Sequence, residues 1–173
     1  MAQHTQHMKS ALEIKNQRVN TQEDKDYMMA KKVFQSILKK YNPKFTQTAQ
    51  LDPSDMRFNY TNKQGKNRYF NVEIKARNQD MEKYDTLPLK CSKYCDLIDD
   101  TMSIEKPLYI VLLNDSEYFI FDLTQLNWND IKIKNWKINA VEYDPRNDKR
   151  EKVKQPTFFI PIEQACCHGL IPE

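Results

Sequence analysis

Glu73 and Lys75 stand two residues apart in "RYFNVEIKARN", where the alternate positions Phe70, Val72, Ile74 and Ala76 are apolar. Successive residues of a β-strand point to opposite faces, so the apolar set belongs to a core. Glu73 and Lys75 then share the other face with Tyr69, Asn71 and Arg77. What faces this carboxylate and ammonium decides their chemistry. The preceding segment "DMRFNYTNKQGKN" supplies a partner strand, with Met56, Phe58 and Tyr60 on one face and Asp55, Arg57 and Asn59 on the other. Its loop "NKQGK" contains one glycine, able to take the positive φ that such hairpin loops need. Closing the ladder at Thr61 and Asn67 sets Arg57 opposite Asn71 and Asp55 opposite Glu73. Phe58 then meets Phe70 and Met56 meets Val72, and a slip of one residue would turn the apolar set to the wrong side.

Two carboxylates about 5 Å apart across a strand pair repel unless a cation lies between them. Lys75 is one candidate, giving a surface salt bridge among Asp55, Glu73 and Lys75. A divalent metal is the other, since hard ions such as Mg²⁺ take one or two carboxylates plus waters and substrate phosphates. Scarce residue types narrow the chemistry further. There are two glycines, Gly65 and Gly169, so no P-loop or GxGxxG phosphate cradle can be built. The three histidines, His4, His7 and His168, lie near the ends, which argues against a His-based triad or multi-His metal site in the body of the fold. Chemistry falls to carboxylates, lysines, tyrosines and thiols. Cys91 and Cys95 sit one helical turn apart, and Cys166-Cys167-His168 comes near the end. Together they could form a zinc or iron–sulfur site, but no C-x-x-C ligand pair is present and small buried thiols are common.

The elements that must position these groups follow from pattern. At 173 residues the chain suits one domain with a real core, and 39% hydrophobic against 29% charged residues points to polar tails or long loops. A net charge of +3 permits nucleic-acid binding without arguing for it. No apolar run approaches a membrane helix, and the first twenty residues lack the apolar stretch of a signal peptide. A cytoplasmic protein with reduced cysteines is expected.

Residues 1–20 read as a flexible tail or loose helix, and 21–173 as a single domain. "TQEDKDYMMAKKVFQSILKKYNP" reads as a helix. Thr21 and Asp24 resemble a capping box, Tyr27, Ala30, Phe34, Ile37 and Tyr41 make an apolar stripe, and Asn42-Pro43 ends it. Strands are predicted over 45–50, 55–61 and 67–77, and a helix over "LPLKCSKYCDLIDDTM". "PLYIVLLND" is a continuous apolar run, the mark of a strand buried on both faces, and "SEYFIFDLTQL" returns beside it through Asn114-Asp115-Ser116. "DIKIKNWKINAVEYD" and "PTFFIPIEQ" are predicted edge strands around the basic loop "PRNDKREKVK". This order gives an α/β fold with a mixed central sheet and flanking helices.

In that order of elements, Pro53, Asp55, the hairpin and Glu73-Ile74-Lys75 resemble the motif of the PD-(D/E)XK nuclease superfamily. One extra residue separates the Pro from the Asp, and "EIK" stands as the E-x-K. The resemblance covers roughly residues 21–126. It implies a restriction-endonuclease-like core and a metal-dependent endonuclease that hydrolyses DNA phosphodiester bonds. It further implies that Asp55 and Glu73, helped by the Ile74 carbonyl, ligate Mg²⁺, for which Mn²⁺ can substitute. Lys75 would orient the attacking water and offset charge on the phosphate. Lys93, with Lys90 close behind, matches the basic residue of the later helix, and Glu23 the acidic residue of the first. Asp52 is an alternative to Asp55 but falls outside the paired register. Around this face lie Arg57, Lys63, Lys66, Arg68, Arg77 and Lys83 with Tyr69 and Tyr84, a mixture suited to a phosphate backbone and exposed bases. The expected partner is DNA, with no membrane, no organic cofactor and a homodimer allowed. Two other readings stand beside this one. The fold could carry an inactive nucleic-acid-binding module, or the chain could be an unrelated α/β protein with Glu73 and Lys75 on its surface.

Overall fold

Ala30, Val33 and Phe34 lie buried along one stripe of a long helix, α1 (Ala11–Ile37), and fix which of its faces meets the rest of the molecule. The computed structural model describes residues 11–49, 52–79, 81, 83–139 and 152–172. α1 starts at Ala11, so Thr21 and Asp24 lie inside it and form no N-terminal cap there. The tail expected over 1–20 is therefore helical from Ala11; "ALEIKNQRVN" contains neither Gly nor Pro to stop a helix, and residues 1–10 lie outside the described ones. Ile37, expected on the buried stripe, is 41% exposed. After a short 3₁₀ turn, Asn42 takes a left-handed φ of 46° and Pro43 follows, which together end the helical segment.

Six strands make the central sheet in the order β1 (Lys44–Gln47), β2 (Met56–Thr61), β3 (Asn67–Arg77), β5 (Glu105–Leu113), β6 (Glu117–Asp122) and β9 (Cys167–Leu170). β3 and β5 are parallel and the other neighbours antiparallel, so the sheet is mixed. The β2–β3 register is the one read from the alternation, from Thr61↔Asn67 to Met56↔Val72. Its loop is held by the Asn62 side chain, which accepts from the backbone N–H groups of Gln64 and Lys66, while Gly65 supplies a φ of 74°. β5 is buried from Pro107 to Leu113, as its unbroken apolar run requires.

Each face of the sheet carries its own core. α1 covers the face bearing Val72, Ile74, Leu108 and Ile110. There Phe58 lies between Phe34 and Phe70, with ring centroids 4.6 Å from each. The opposite face, bearing Tyr109, Val111 and Phe121, is covered by α2 (Cys91–Asp100) and by a second, three-stranded antiparallel sheet. That sheet has the order β4 (Thr86–Lys90), β8 (Lys152–Pro161), β7 (Lys132–Asn139). Two expectations are corrected here. Leu87, Pro88 and Leu89 form a strand rather than the first turn of a helix, and α2 begins at Cys91. β4 pairs only with β8 and is an edge strand, a place where a proline costs little ladder bonding. β7 is an edge strand of this second sheet, as expected, whereas β8 is its central strand, paired on both sides. Of the basic loop "PRNDKREKVK", residues 145–151 lie outside the described ones.

Candidate active site at an open sheet edge

β2 stops pairing at Met56, opposite Val72, whereas β3 runs on to Arg77 against β5. Past Val72, among the described residues, no strand pairs with the side of β3 turned toward β2. Asp55 finishes the ladder there: its N–H donates to the Val72 carbonyl at 2.9 Å, and its carboxylate accepts the Ile74 N–H at 2.7 Å. The N–H and C=O of one strand residue point to the same side, so the Ile74 carbonyl also faces this open edge. Asp55, Ile74, Lys75 and Arg77 line a cleft of about 650 Å³ whose other wall is residues 22–27 of α1.

Glu73 is the deepest ionisable group of the site, with 1% of its surface exposed. Lys75 Nζ lies 3.4 Å from its Oε1, and Lys93 Nζ reaches across from α2 to 3.8 Å from its Oε2. Oε2 is buried and accepts no hydrogen bond among the described residues. Burial pushes the Glu73 carboxyl up to about 7; the Lys75 charge opposes that rise, Asp55 adds to it and Lys93 opposes it again. The Glu73–Lys75 ion pair is present, but this burial overturns the readings that place Glu73 on the surface. Lys90, the last residue of β4, faces the same cluster. Burial lowers its pKa, and the nearby charges of Lys75, Arg77 and Lys93 lower it further. Lys75, Lys90 and Lys93 thus gather about one buried carboxylate.

Besides the expected Glu23, α1 brings Asp26 to the cleft wall. Glu23 lines the cleft but is exposed. Asp26 is half-buried on the same wall, and burial raises its pKa; the Gln22 hydrogen bond and the charges of Lys25 and Lys75 work against that rise, while Asp115 adds to it. The Lys75 contribution places Asp26 within electrostatic reach of the E-x-K strand. A sequence signal existed: Asp26 precedes Ala30 and Val33 by four and seven residues, which puts it on the buried stripe. Tyr27 packs partly buried against the same core, as expected, whereas Ile37 faces solvent.

The expected nucleic-acid contacts are scattered. Arg57 is drawn into a polar cluster, with Nη2 2.8 Å from Asp100 Oδ2 and Nε 3.6 Å from Glu105 Oε1, and does not reach Glu73. Arg77 stays in the cleft, its Nη2 3.4 Å from the Pro88 carbonyl. Lys66 and Arg68 lie by the hairpin loop, at the opposite end of β3 from Lys75. Tyr84, 50% exposed, lies in the connection before β4 with Lys83 Nζ 5.6 Å from its ring centroid. Asp52 accepts the Ala49 N–H at 2.8 Å, a local turn bond that occupies the alternative to Asp55. The four cysteines are free thiols; Cys166 donates to the Ile120 carbonyl and Cys167 lies beside the Tyr118 hydroxyl.

Among the described residues, no three carboxylate, thiol or imidazole groups converge to hold a metal ion by themselves. The donors at the open edge are the Asp55 carboxylate and the Ile74 carbonyl, with the Glu73 carboxylate buried next to them on the strand. That set fits Mg²⁺, which keeps several waters and substrate oxygens in its shell, and it does not fit a closed zinc site. The unpartnered Glu73 Oε2 fits the same ion.

No family model and no curated protein matches the chain. Among solved structures the chain is similar to Hjc, a Holliday junction resolvase from Archaeoglobus fulgidus, at 15% identity and a TM-score of 0.41, over 76% of this chain and 88% of that one.

Proposed function

We propose that the chain is a divalent-metal-dependent nuclease of the PD-(D/E)XK kind, hydrolysing phosphodiester bonds in DNA. The observation that carries this reading is the buried Glu73, flanked by Asp55 and Lys75 at an open strand edge, with one carboxylate oxygen lacking a hydrogen bond. A carboxylate so far removed from water, with a second one beside it, is costly unless cations compensate. The carbonyl of Ile74 and the carboxylates of Asp55 and Glu73 would hold Mg²⁺, with Asp26 close enough to share its field. When bound, the ion supplies acidification of a water and neutralisation of phosphate charge.

The protein's own groups do the rest. Lys75 projects from the strand that carries Glu73, so a rigid ladder fixes its ammonium where it can hold the attacking water and face the phosphate. Lys93 and Lys90 add positive charge from the other side, where negative charge grows on the phosphate oxygens during displacement. Fixed charge already aimed at that point lowers the barrier without reorganisation. The α1 wall bounds the cleft on the side opposite the strand edge.

Single-turnover cleavage of supercoiled plasmid and of branched DNA tests this, with Mg²⁺ or Mn²⁺ against a chelator control. The wild-type chain should nick in either metal. Glu73→Gln keeps the shape but removes the charge, so calorimetric Mn²⁺ binding and cleavage should both collapse. Lys75→Ala should keep Mn²⁺ and lose about a hundredfold or more in cleavage rate. A wild-type chain that binds DNA but cuts neither substrate in either metal would leave the inactive binding module in its place.

A further inference from the structure

The second sheet carries a feature that the cleavage site does not use. In the β4–β8–β7 register, Lys90 pairs with Thr157 and Thr157 with Lys134, so the three lie in one row across the sheet. The next row is Pro88, Phe159 and Lys132, and beyond the first lies the pair Gln155 and Trp136. Residues in such rows share one face. That face contains no acidic residue in any of its three strands. Lys132, Lys134 and Trp136 are exposed, Trp136 at 39%. Trp136 and Phe159 pack with ring centroids 5.1 Å apart, and Lys134 Nζ lies 5.6 Å from the Phe159 ring centroid. Among the described residues no carboxylate pairs with Lys90, Lys132 or Lys134. At its inner end the face reaches the catalytic cluster through Lys90, which feels the charges of Lys75, Lys93 and Glu73.

We infer that this face of the second sheet is a platform for an unpaired nucleic-acid strand running outward from the cleavage site, with Trp136 and Phe159 stacking bases and Lys132 and Lys134 holding the backbone. The inference rests on the nuclease reading for its direction, since Lys90, in the row of Thr157 and Lys134, lies in the charge field of Lys75, Lys93 and Glu73. Its chemistry stands apart. A paired duplex offers phosphates to lysines but hides its base faces in the stack. An exposed indole beside a second aromatic, in a field of lysines, suits bases that are free to stack. The absence of acidic residues on the face leaves the backbone charge unopposed.

The test is a fluorescence titration of the full chain with oligo(dT) and with a duplex of equal length, in chelator so that no cleavage intervenes. Oligo(dT) should quench tryptophan emission, and Trp136→Phe should lose most of that quench, leaving the signal of Trp128. Trp136→Ala should weaken oligo(dT) binding about tenfold or more and duplex binding less. Because that change also disturbs β7 packing, the Lys132→Glu/Lys134→Glu pair alters exposed side chains alone, and it should weaken oligo(dT) comparably. The platform is overturned if oligo(dT) gives no quench, or if both variants bind it as tightly as the wild type. It is overturned equally if polyglutamate quenches as well as oligo(dT), which would make an acidic polypeptide the occupant. A chain that never cuts DNA yet shows the Trp136-dependent quench keeps the platform and loses the nuclease. A chain that cuts while these variants bind normally keeps the nuclease and loses the platform.

Discussion

Glu73 ties the site to the stability of the fold. Burial lifts its pKa from 4.5 to about 7, so between those values the folded chain holds a proton that the unfolded chain releases. Stability therefore falls as pH rises from 4.5 through 7. At 1.36 kcal/mol per unit the loss is about 3 kcal/mol before any metal binds. Urea unfolding in chelator across this window should show the decline, Glu73→Gln should flatten it, and Mn²⁺ added above pH 7 should reverse it in the wild type. A second residue-scale contrast concerns α1. Asp26→Asn should weaken Mn²⁺ binding and slow cleavage, whereas Glu23→Gln should stay within about twofold of wild type, because exposed side-chain charge is screened. Matched calorimetric titrations of the two variants decide between them.

At the scale of elements, α2 must be seated before Lys93 can meet Glu73, and a polar cluster seats it. Asp100 Oδ2, at the end of α2, accepts from Ser54 at 3.2 Å, Arg57 at 2.8 Å and Asn71 at 3.0 Å, all from the hairpin or its approach. Asp100→Ala should cost about 2 kcal/mol, because it strips partners from the buried Asn71 and the half-buried Arg57. Lys25→Ala, which removes an exposed pair with Asp115, should cost far less. Urea midpoints of the two variants check the order. The same elements mark how far sequence could be read. The hairpin register was legible because its period-two alternation allows one solution. The approach of Lys93 to Glu73 was suggested by the resemblance alone, since nothing in the periodicity of α2 says which of its faces meets the strand. The start of α2 was not, because Leu87-Pro88-Leu89 is an apolar run with no period. Without β4 as a strand, the pairing of β7 and β8 into a separate sheet could not be inferred. Burial of Glu73 was also hidden, since alternation marks one face as core and says nothing of what covers the other.

For the whole molecule, a sheet covered on both faces leaves a short open strand edge and a long hairpin that leads away from it. Arg68 lies five residues along β3 from Glu73, about 17 Å. Lys66→Glu/Arg68→Glu should therefore weaken binding to duplexes long enough to span that distance and leave shorter ones unchanged, which gel shifts against duplex length would reveal. The parallel join of β3 to β5 has a further consequence, in time rather than space. Tyr69 pairs with Glu105 and Arg77 with Leu113, and the chain between them makes β4 and α2 before it returns. Hairpins such as β2–β3 close over a few residues and form early; a crossover of this length closes late, because its loop entropy is spent before its contacts form. Glu73 lies on one arm of that crossover and Lys93 within it, so the residues of the proposed site come together in the same late event. A chain still emerging during synthesis, with its first hairpin folded but β5 not yet made, should have no power to cut. Refolding should restore activity with the slowest phase and not with the first recovery of secondary structure.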